Sequence, residues 1–169
     1  SWGFGLTPDP AAADLKFEKA STWELGTRVD AGAGLTGAVS AWRNDYDDFF
    51  VFFSGFYENL GQVSAEGVDL ELTWDAETVA PALEGFSAQA AMTFQDTTLE
   101  SGPDQGNDVP YSWSEKLSWR LRYASPWGWL ASLGGTYVGD SYSDEANTEA
   151  ESADGTLGRN PSRTLWDAQ

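Results

Sequence analysis

The stretch Asn59–Asp75, NLGQVSAEGVDLELTWD, decides the fold. From Val68 onward it alternates strictly: Val68, Leu70, Leu72 and Trp74 on one side, Gly67, Asp69, Glu71, Thr73 and Asp75 on the other. Successive strand side chains point to opposite faces, so this is a strand with one oily and one charged face. One such strand fits any half-buried sheet; repetition makes it specific. On the N-terminal side Trp23, Leu25, Thr27 and Val29 alternate with Glu24, Gly26, Arg28 and Asp30. On the C-terminal side Phe86, Ala88, Ala90, Met92 and Phe94 oppose Ser87, Gln89, Ala91, Thr93 and Gln95.

The rule continues. Leu117, Trp119, Leu121 and Tyr123 oppose Lys116, Ser118, Arg120 and Arg122. Trp129, Ala131, Leu133, Gly135 and Tyr137 oppose Leu130, Ser132, Gly134 and Thr136, and Thr164–Gln169 opens a further strand. Leu35–Phe53 is one long strand of mixed phase, with Leu35 and Val39 on one parity and Trp42 and Tyr46 on the other. A bulge between them would reconcile the two. Gly67 is expected where a strand bends.

The connections differ in length. Those at 31–34 and 125–128 read as short and 76–85 as intermediate, sharing one end; those at 54–60, 101–114 and 139–162 read as long and are assigned to the opposite end, and 1–20 reads as an irregular lead-in. The acidic 139–161 segment shows no periodicity. Trp74, Phe86, Tyr123, Trp127 and Trp129 lie beside the shorter turns; Tyr46, Phe94 and Tyr137 lie toward the long loops. From Phe86 to Phe94 the chain rises about 26 Å, or roughly 20 Å vertically after a ~40° tilt. Long strands, two aromatic girdles and unequal rims describe an all-β fold: an antiparallel up-and-down transmembrane β-barrel, here about six strands and part of a seventh. Soluble sheets generally use shorter strands.

Composition narrows the function. Nine Lys and Arg against 27 Asp and Glu give a net charge of −18, which argues against nucleic acid as a partner. Without Cys or His there is no disulfide framework, no thiolate or imidazole metal site and no serine-type triad. An enzyme is not expected, and neither a cofactor nor a metal site. No run approaches the ~18–20 apolar residues of a membrane-spanning helix; the longest oily run is Phe49–Phe53. The opening SWGFGLTPDP lacks the features of a signal peptide, and the chain reads as a piece of a longer one.

Three ordered motifs carry a resemblance. The first is Leu15–Lys16–x–Glu18–Lys19 followed by Glu24–Leu25–Gly26–x–Arg28. The second is Glu58–Asn59–x–Gly61 followed by Gly67–Val68–Asp69–Leu70–Glu71–Leu72. The third is Gly158–x–Asn160–Pro161–Ser162–x–Thr164–Leu165–Trp166–Asp167. In order and spacing the chain resembles the C-terminal barrel portion of a TonB-dependent outer-membrane receptor, over nearly its whole length. Asp69 departs from the family pattern, where Glu is commoner, and keeps the charge.

The resemblance implies a bacterial outer-membrane location and active uptake of a ferric siderophore or ferric citrate. It also implies that residues 1–169 form part of a single barrel domain, with the plug and the remaining strands outside this chain. The implied partners are outer-membrane lipid, a ferric chelate, and TonB engaged through the plug. Asp69 and Glu71 would face the lumen, and Glu24 and Arg28 would join a lumenal charge lattice. Lys116, Arg120 and Arg122 share the inward side of one strand, where they would neutralise lumenal acids such as Asp69 and Glu71 or acids on the plug. Lys116 and Arg120, with Tyr111, Trp113 and Tyr142 at the adjoining loops, are the candidate ligand residues, because cationic donors and aromatic faces suit an anionic chelate. Of the three basic residues, Lys116 lies nearest the loops and Arg122 deepest. The competing expectation is a secreted, acidic, Trp-rich β-sandwich that binds carbohydrate by aromatic stacking, with Ca²⁺ held by acidic loops such as 140–154.

Overall fold

A computed structural model describes the backbone of residues 16–53 and 56–169, and the side chains of 16–49 and 61–169. Residues 1–15, the first residue of the opening motif among them, lie outside it, as do 54–55 of the expected 54–60 loop.

Among the described residues nine strands account for the order. They are β1 (Lys19–Gly32), β2 (Leu35–Phe53), β3 (Phe56–Asp75), β4 (Phe86–Leu99), β5 (Glu115–Ala124), β6 (Leu130–Val138), β7 (Ser141–Tyr142), β8 (Arg159–Asn160) and β9 (Arg163–Ala168). Seven form one antiparallel sheet in the order β1-β2-β3-β4-β5-β6-β9, while β7 and β8 pair separately. Apart from that small ladder, neighbours in sequence are neighbours in the sheet. The sheet is an open arc with β1 and β9 as its edges. No second sheet packs across it among the described residues, which removes the β-sandwich.

Register assigns the faces. One lateral row runs Gly37↔Leu72↔Ala90↔Trp119↔Gly135↔Trp166 and the next Thr73↔Gln89↔Arg120↔Gly134↔Asp167. The apolar and polar sets expected on β3, β4, β5 and β6 therefore fall on opposite faces, as alternation predicts. On the inner strands the outward side chains stay open: Leu72 is 47% exposed and Leu121 52%. Those areas are what a transmembrane barrel would present to its surroundings.

The apolar band ends on one level. On β2, β3 and β4 the outward positions beyond Ala41, Val68 and Phe94 are Arg43, Glu66 and Asp96, consecutive partners across the sheet. Arg43 reaches Glu66 and Asp45 at 2.9 Å each.

The phase problem in β2 resolves differently from the expected bulge. Pairing runs unbroken from Leu35↔Trp74 to Tyr46↔Val63, so Trp42 and Tyr46 stand on the inward face. The irregularity lies beyond Tyr46. There Asp47 and Asp48 oppose the single residue Gln62, and then Leu60 is the extra residue on β3. The two insertions cancel and the original offset returns at Phe50↔Asn59. Asp48 (φ 55°) and Gly61 (φ 83°) absorb the distortion. Residues 56–60 are therefore strand, where the sequence suggested loop.

Gly67 also differs from expectation. Register passes straight through it, so it marks no bend. A Cβ there would lie 2.6 Å from Trp42 Cζ2 and 2.5 Å from the Phe94 carbonyl oxygen. The missing side chain seats the inward Trp42 ring.

The connections 31–34, 76–85 and 125–128 share one rim as expected, but with β2 running to Phe53 and β3 starting at Phe56 the 54–60 connection is not the long loop expected at the other. The shorter connections touch through backbone bonds, Asp75 N–H to Gly34 O at 2.9 Å and Ala124 N–H to Gly85 O at 2.8 Å. Asp75 also accepts from Glu77 N–H, capping the first of two 3-10 turns in the 76–85 link. At the other rim loop 100–114 folds inward. Val63, Leu99 and Val109 make a small buried cluster there, with Tyr46 and Phe49 against it.

Two substitutions in the full-length protein test these assignments. Gly67→Ala is expected to lower stability by about 1–3 kcal/mol through overpacking, read as the urea midpoint of barrel unfolding. Gly37→Ala, whose new Cβ would meet nothing nearer than 3.8 Å, serves as the tolerated control. Leu70→Arg is expected to cost about 2–4 kcal/mol on a lipid-facing midplane position; a near-zero change would put Leu70 out of lipid contact.

Candidate functional site

The inward face of β5 carries Lys116, Ser118, Arg120 and Arg122 in one column, read upward from the short-turn end as 122, 120, 118 and 116. Parity predicts that column. The partners come from other strands. Arg120 binds Asp167 of β9 at 2.8 Å, rather than Asp69 or Glu71. Glu71 instead faces Arg28 at 3.6 Å, while Asp69 accepts a 2.6 Å bond from the Thr93 hydroxyl. Glu24 makes no ion pair among the described residues. Glu71, Thr73, Gln89, Ser118, Arg120 and Asp167 are among the residues lining an open trough of about 370 Å³.

Above the trough the expected ligand residues gather in two pairs. Lys116 Nζ lies 5.7 Å from the Trp113 ring centroid, within cation–π range. Tyr111 N–H donates to the Tyr142 carbonyl at 2.6 Å. Tyr111 is 62% exposed with φ 61°, a left-handed conformation costly for a residue with a side chain. Arg120 does not join them; it sits two inward steps below Lys116 and is held by Asp167.

The 139–162 segment is ordered by its own bonds despite its lack of periodicity. The Arg159 guanidinium binds Asp140 at 2.5 Å and reaches Glu149 at 3.7 Å. Tyr142 donates its hydroxyl hydrogen bond to Glu149 at 2.9 Å, which, with burial, raises the phenol pKa. Asp144, almost buried, accepts from Thr148 and Gly158. Ser152 and Thr156 hold Asp154 down to about 2. These acids sit in separate turns, and no group of three or more forms a metal site among the described residues. Asn147 fastens this loop to 100–114: its Oδ1 accepts from Asp108 N–H at 2.7 Å and its Nδ2 donates to Asp108 O at 3.0 Å. Asn107 adds a bond to Glu145 O at 2.8 Å. Burial, then the charges of Asp96 and Asp140, raise the Asp108 pKa.

Sequence reasoning missed Asp167 and Asn147. Alternation from Thr164 places Asp167 beside inward neighbours, so its side was available, but its partner was not. Nothing marked Asn147 among the polar residues of its loop.

A family model described as "TonB dependent receptor-like, beta-barrel" matches residues 3–169. The unliganded ferric citrate transporter FecA superposes with a TM-score of 0.76 at 30% identity, over 89% of this chain and 23% of that chain. The ferric yersiniabactin uptake receptor FyuA from Yersinia pestis gives 0.67 at 23% identity, over 89% and 22%. The siderophore receptor PiuA from Acinetobacter baumannii gives 0.61 at 20%, over 88% and 21%. The last two likenesses concern the fold alone. This chain spans under a quarter of the length of each of these structures.

The loop ion pairs set a pH dependence. The Arg159 hydrogen bond holds Asp140 below the ordinary carboxylate range. A depressed carboxylate lends stability above its unfolded value near ~4 and loses it as pH falls through the folded value; Asp154 acts with the same sign. A spin label at Ala153→Cys in the full-length protein is expected to keep one line shape from about pH 8 to 5 and to gain mobility below about pH 4. With Asp140→Asn the label should be mobile throughout. A mobile label at neutral pH without that substitution would contradict the bonded loop.

Proposed function

The chain belongs to the TonB-dependent receptor-like β-barrel family, and from that premise we propose that its full-length protein is an outer-membrane receptor for active uptake of a ferric siderophore or ferric citrate. TonB-dependent receptors are outer-membrane β-barrel proteins of transport, not enzymes. Residues 1–169 would be part of one barrel domain; both sheet edges need further strands, and TonB would engage through a plug carried elsewhere in the protein. The observation that carries the proposal is the 30% identical match to a ferric citrate transporter, on a sheet that sets Lys116 inward at the loop end.

The roles follow from the pairings. Lys116 has no carboxylate partner among the described residues and is the cation left for a chelate. Trp113, Tyr111 and Tyr142 would offer ring faces beside it. Arg120, neutralised by Asp167, would shape the wall beneath. Loop charge favours a second version of the cargo. Segments 100–114 and 139–162 are acidic and contain Arg159 as their one basic residue, already paired with Asp140. Such a rim repels anions and favours a neutral or cationic ferric siderophore over ferric citrate.

Whole-cell binding of radiolabelled iron chelates to the full-length receptor separates these. Lys116→Ala is expected to weaken an anionic chelate about tenfold, ~1.4 kcal/mol, while a cationic chelate keeps its Kd. Unchanged Kd for every anionic chelate that the unsubstituted receptor binds would leave Lys116 structural. Absence of uptake for all ferric chelates would overturn the cargo class.

A further inference from the structure

The outward face is not evenly covered at the end of the sheet that carries the short connections. Trp74, Ala88, Leu121 and Leu133 form one lateral row across β3, β4, β5 and β6. Phe86, Tyr123 and Ala131 form the next row toward the short turns. Ala88 stands between Trp74 and Leu121, and Ala131 beside Tyr123, so a small side chain twice falls next to large ones. Trp74, Phe86, Ala88, Leu121, Ala131 and Leu133 are among the residues lining the groove that results, of about 300 Å³. The Phe86 and Tyr123 rings, 4.4 Å apart, stand at its short-turn end.

The polar groups around the groove narrow what fits it. The Trp74 indole N–H and the Tyr123 hydroxyl make no hydrogen bond among the described residues. Such groups are usually satisfied where one end of the ring is apolar and the other polar. The rim beside them is acidic. The connections 31–34, 76–85 and 125–128 contain Glu77 and Glu84 and no Lys or Arg, and Asp30 and Asp75 flank the first two. Neither the Glu77 nor the Glu84 carboxylate has an ion pair among the described residues. Glu84 stands two residues before Phe86. The 2.8 Å bond from Ala124 N–H to Gly85 O lays the 76–85 link against the end of β5, next to Tyr123.

Apolar walls suit an acyl chain, and two unpaired donors suit ester or phosphate oxygens. Unpaired carboxylates repel a headgroup of net negative charge and attract an ammonium. An ammonium with N–H groups also donates to them, which makes the stronger bond. We propose that this groove binds one phospholipid whose headgroup carries a primary ammonium. Its chain lies against Ala88 and Ala131, its phosphate at Tyr123 and Trp74, and its ammonium at Glu84. Any transmembrane barrel touches lipid all round; this groove selects one headgroup class at one place. The site rests on the membrane placement proposed above, not on the cargo.

Native mass spectrometry of the full-length receptor in detergent tests it. Phosphatidylethanolamine, phosphatidylcholine and phosphatidylglycerol with identical chains are added in equal amounts. The ethanolamine lipid is expected to be retained severalfold over the other two. Ala88→Phe, which fills the groove, should remove that excess, and Glu84→Gln, at an exposed position, should shrink it. Ala41→Phe adds the same bulk to the outward face near the long loops and should leave it unchanged. Equal retention of either competing lipid by the unsubstituted receptor would overturn the site. So would an excess that survives both Ala88→Phe and Glu84→Gln, or a receptor dimer that Ala88→Phe disperses. Chelate uptake by cells carrying Ala88→Phe reports the transport proposal separately.

Discussion

Hydrocarbon offers no partner to a backbone N–H or C=O, so a strand that crosses it must be paired along its length by its neighbours. That constraint organises this chain. The ladder runs from β1 to β9 with each member antiparallel to the one before, and the irregular stretch in β2 and β3 carries two insertions that cancel. Once the rungs are fixed, each side chain has its side. A slip of one residue would turn Asp69 and Glu71 toward lipid and Val68, Leu70 and Trp74 toward the lumen. The charge pairs on the inner wall follow from pairing settled on other grounds.

Much of this was legible in order of residues alone, because a two-residue period is a local property. The β3, β4, β5 and β6 faces follow from alternation, and the unequal rims from loop composition. Legibility failed where an aromatic sits on the wet side. Trp42 and Tyr46 break the oily-polar rhythm of β2, and a bulge was the natural inference. Trp42 is inside because Gly67, on the neighbouring strand, leaves a ring-sized space. Tyr46 is inside because Val63, Leu99 and Val109 make an apolar cap under the long loops. Both reasons are long-range. The same holds for residues 56–60, read as part of a loop although they pair with the end of β2.

The charge lattice divides in the same way. That Lys116, Arg120 and Arg122 share a column follows from parity. That Arg120 takes Asp167, 47 residues away, depends on β9 lying beside β6 after a long excursion. That excursion was the least readable part of the chain, since turns bonded by Ser, Thr, Asn and Asp side chains need no repeating pattern. Its bonds are local and polar, and Asn147 supplies the tie to the neighbouring loop from within an unremarkable run.

The Arg43, Glu66 and Asp96 rung has a further consequence. It closes the apolar band at the same level on three adjacent strands, leaving roughly 20 Å of vertical greasy height between it and the aromatic girdle near the short turns. The protein therefore carries its own gauge of bilayer thickness. In a thick, sterol-rich membrane the lipid would have to compress around the barrel, or the charged rung would be drawn into acyl chains, at a fraction of a kcal/mol for each ångström of mismatch. A thin bilayer imposes neither deformation, so hydrophobic matching alone sorts this sheet toward the thinnest membrane a cell has.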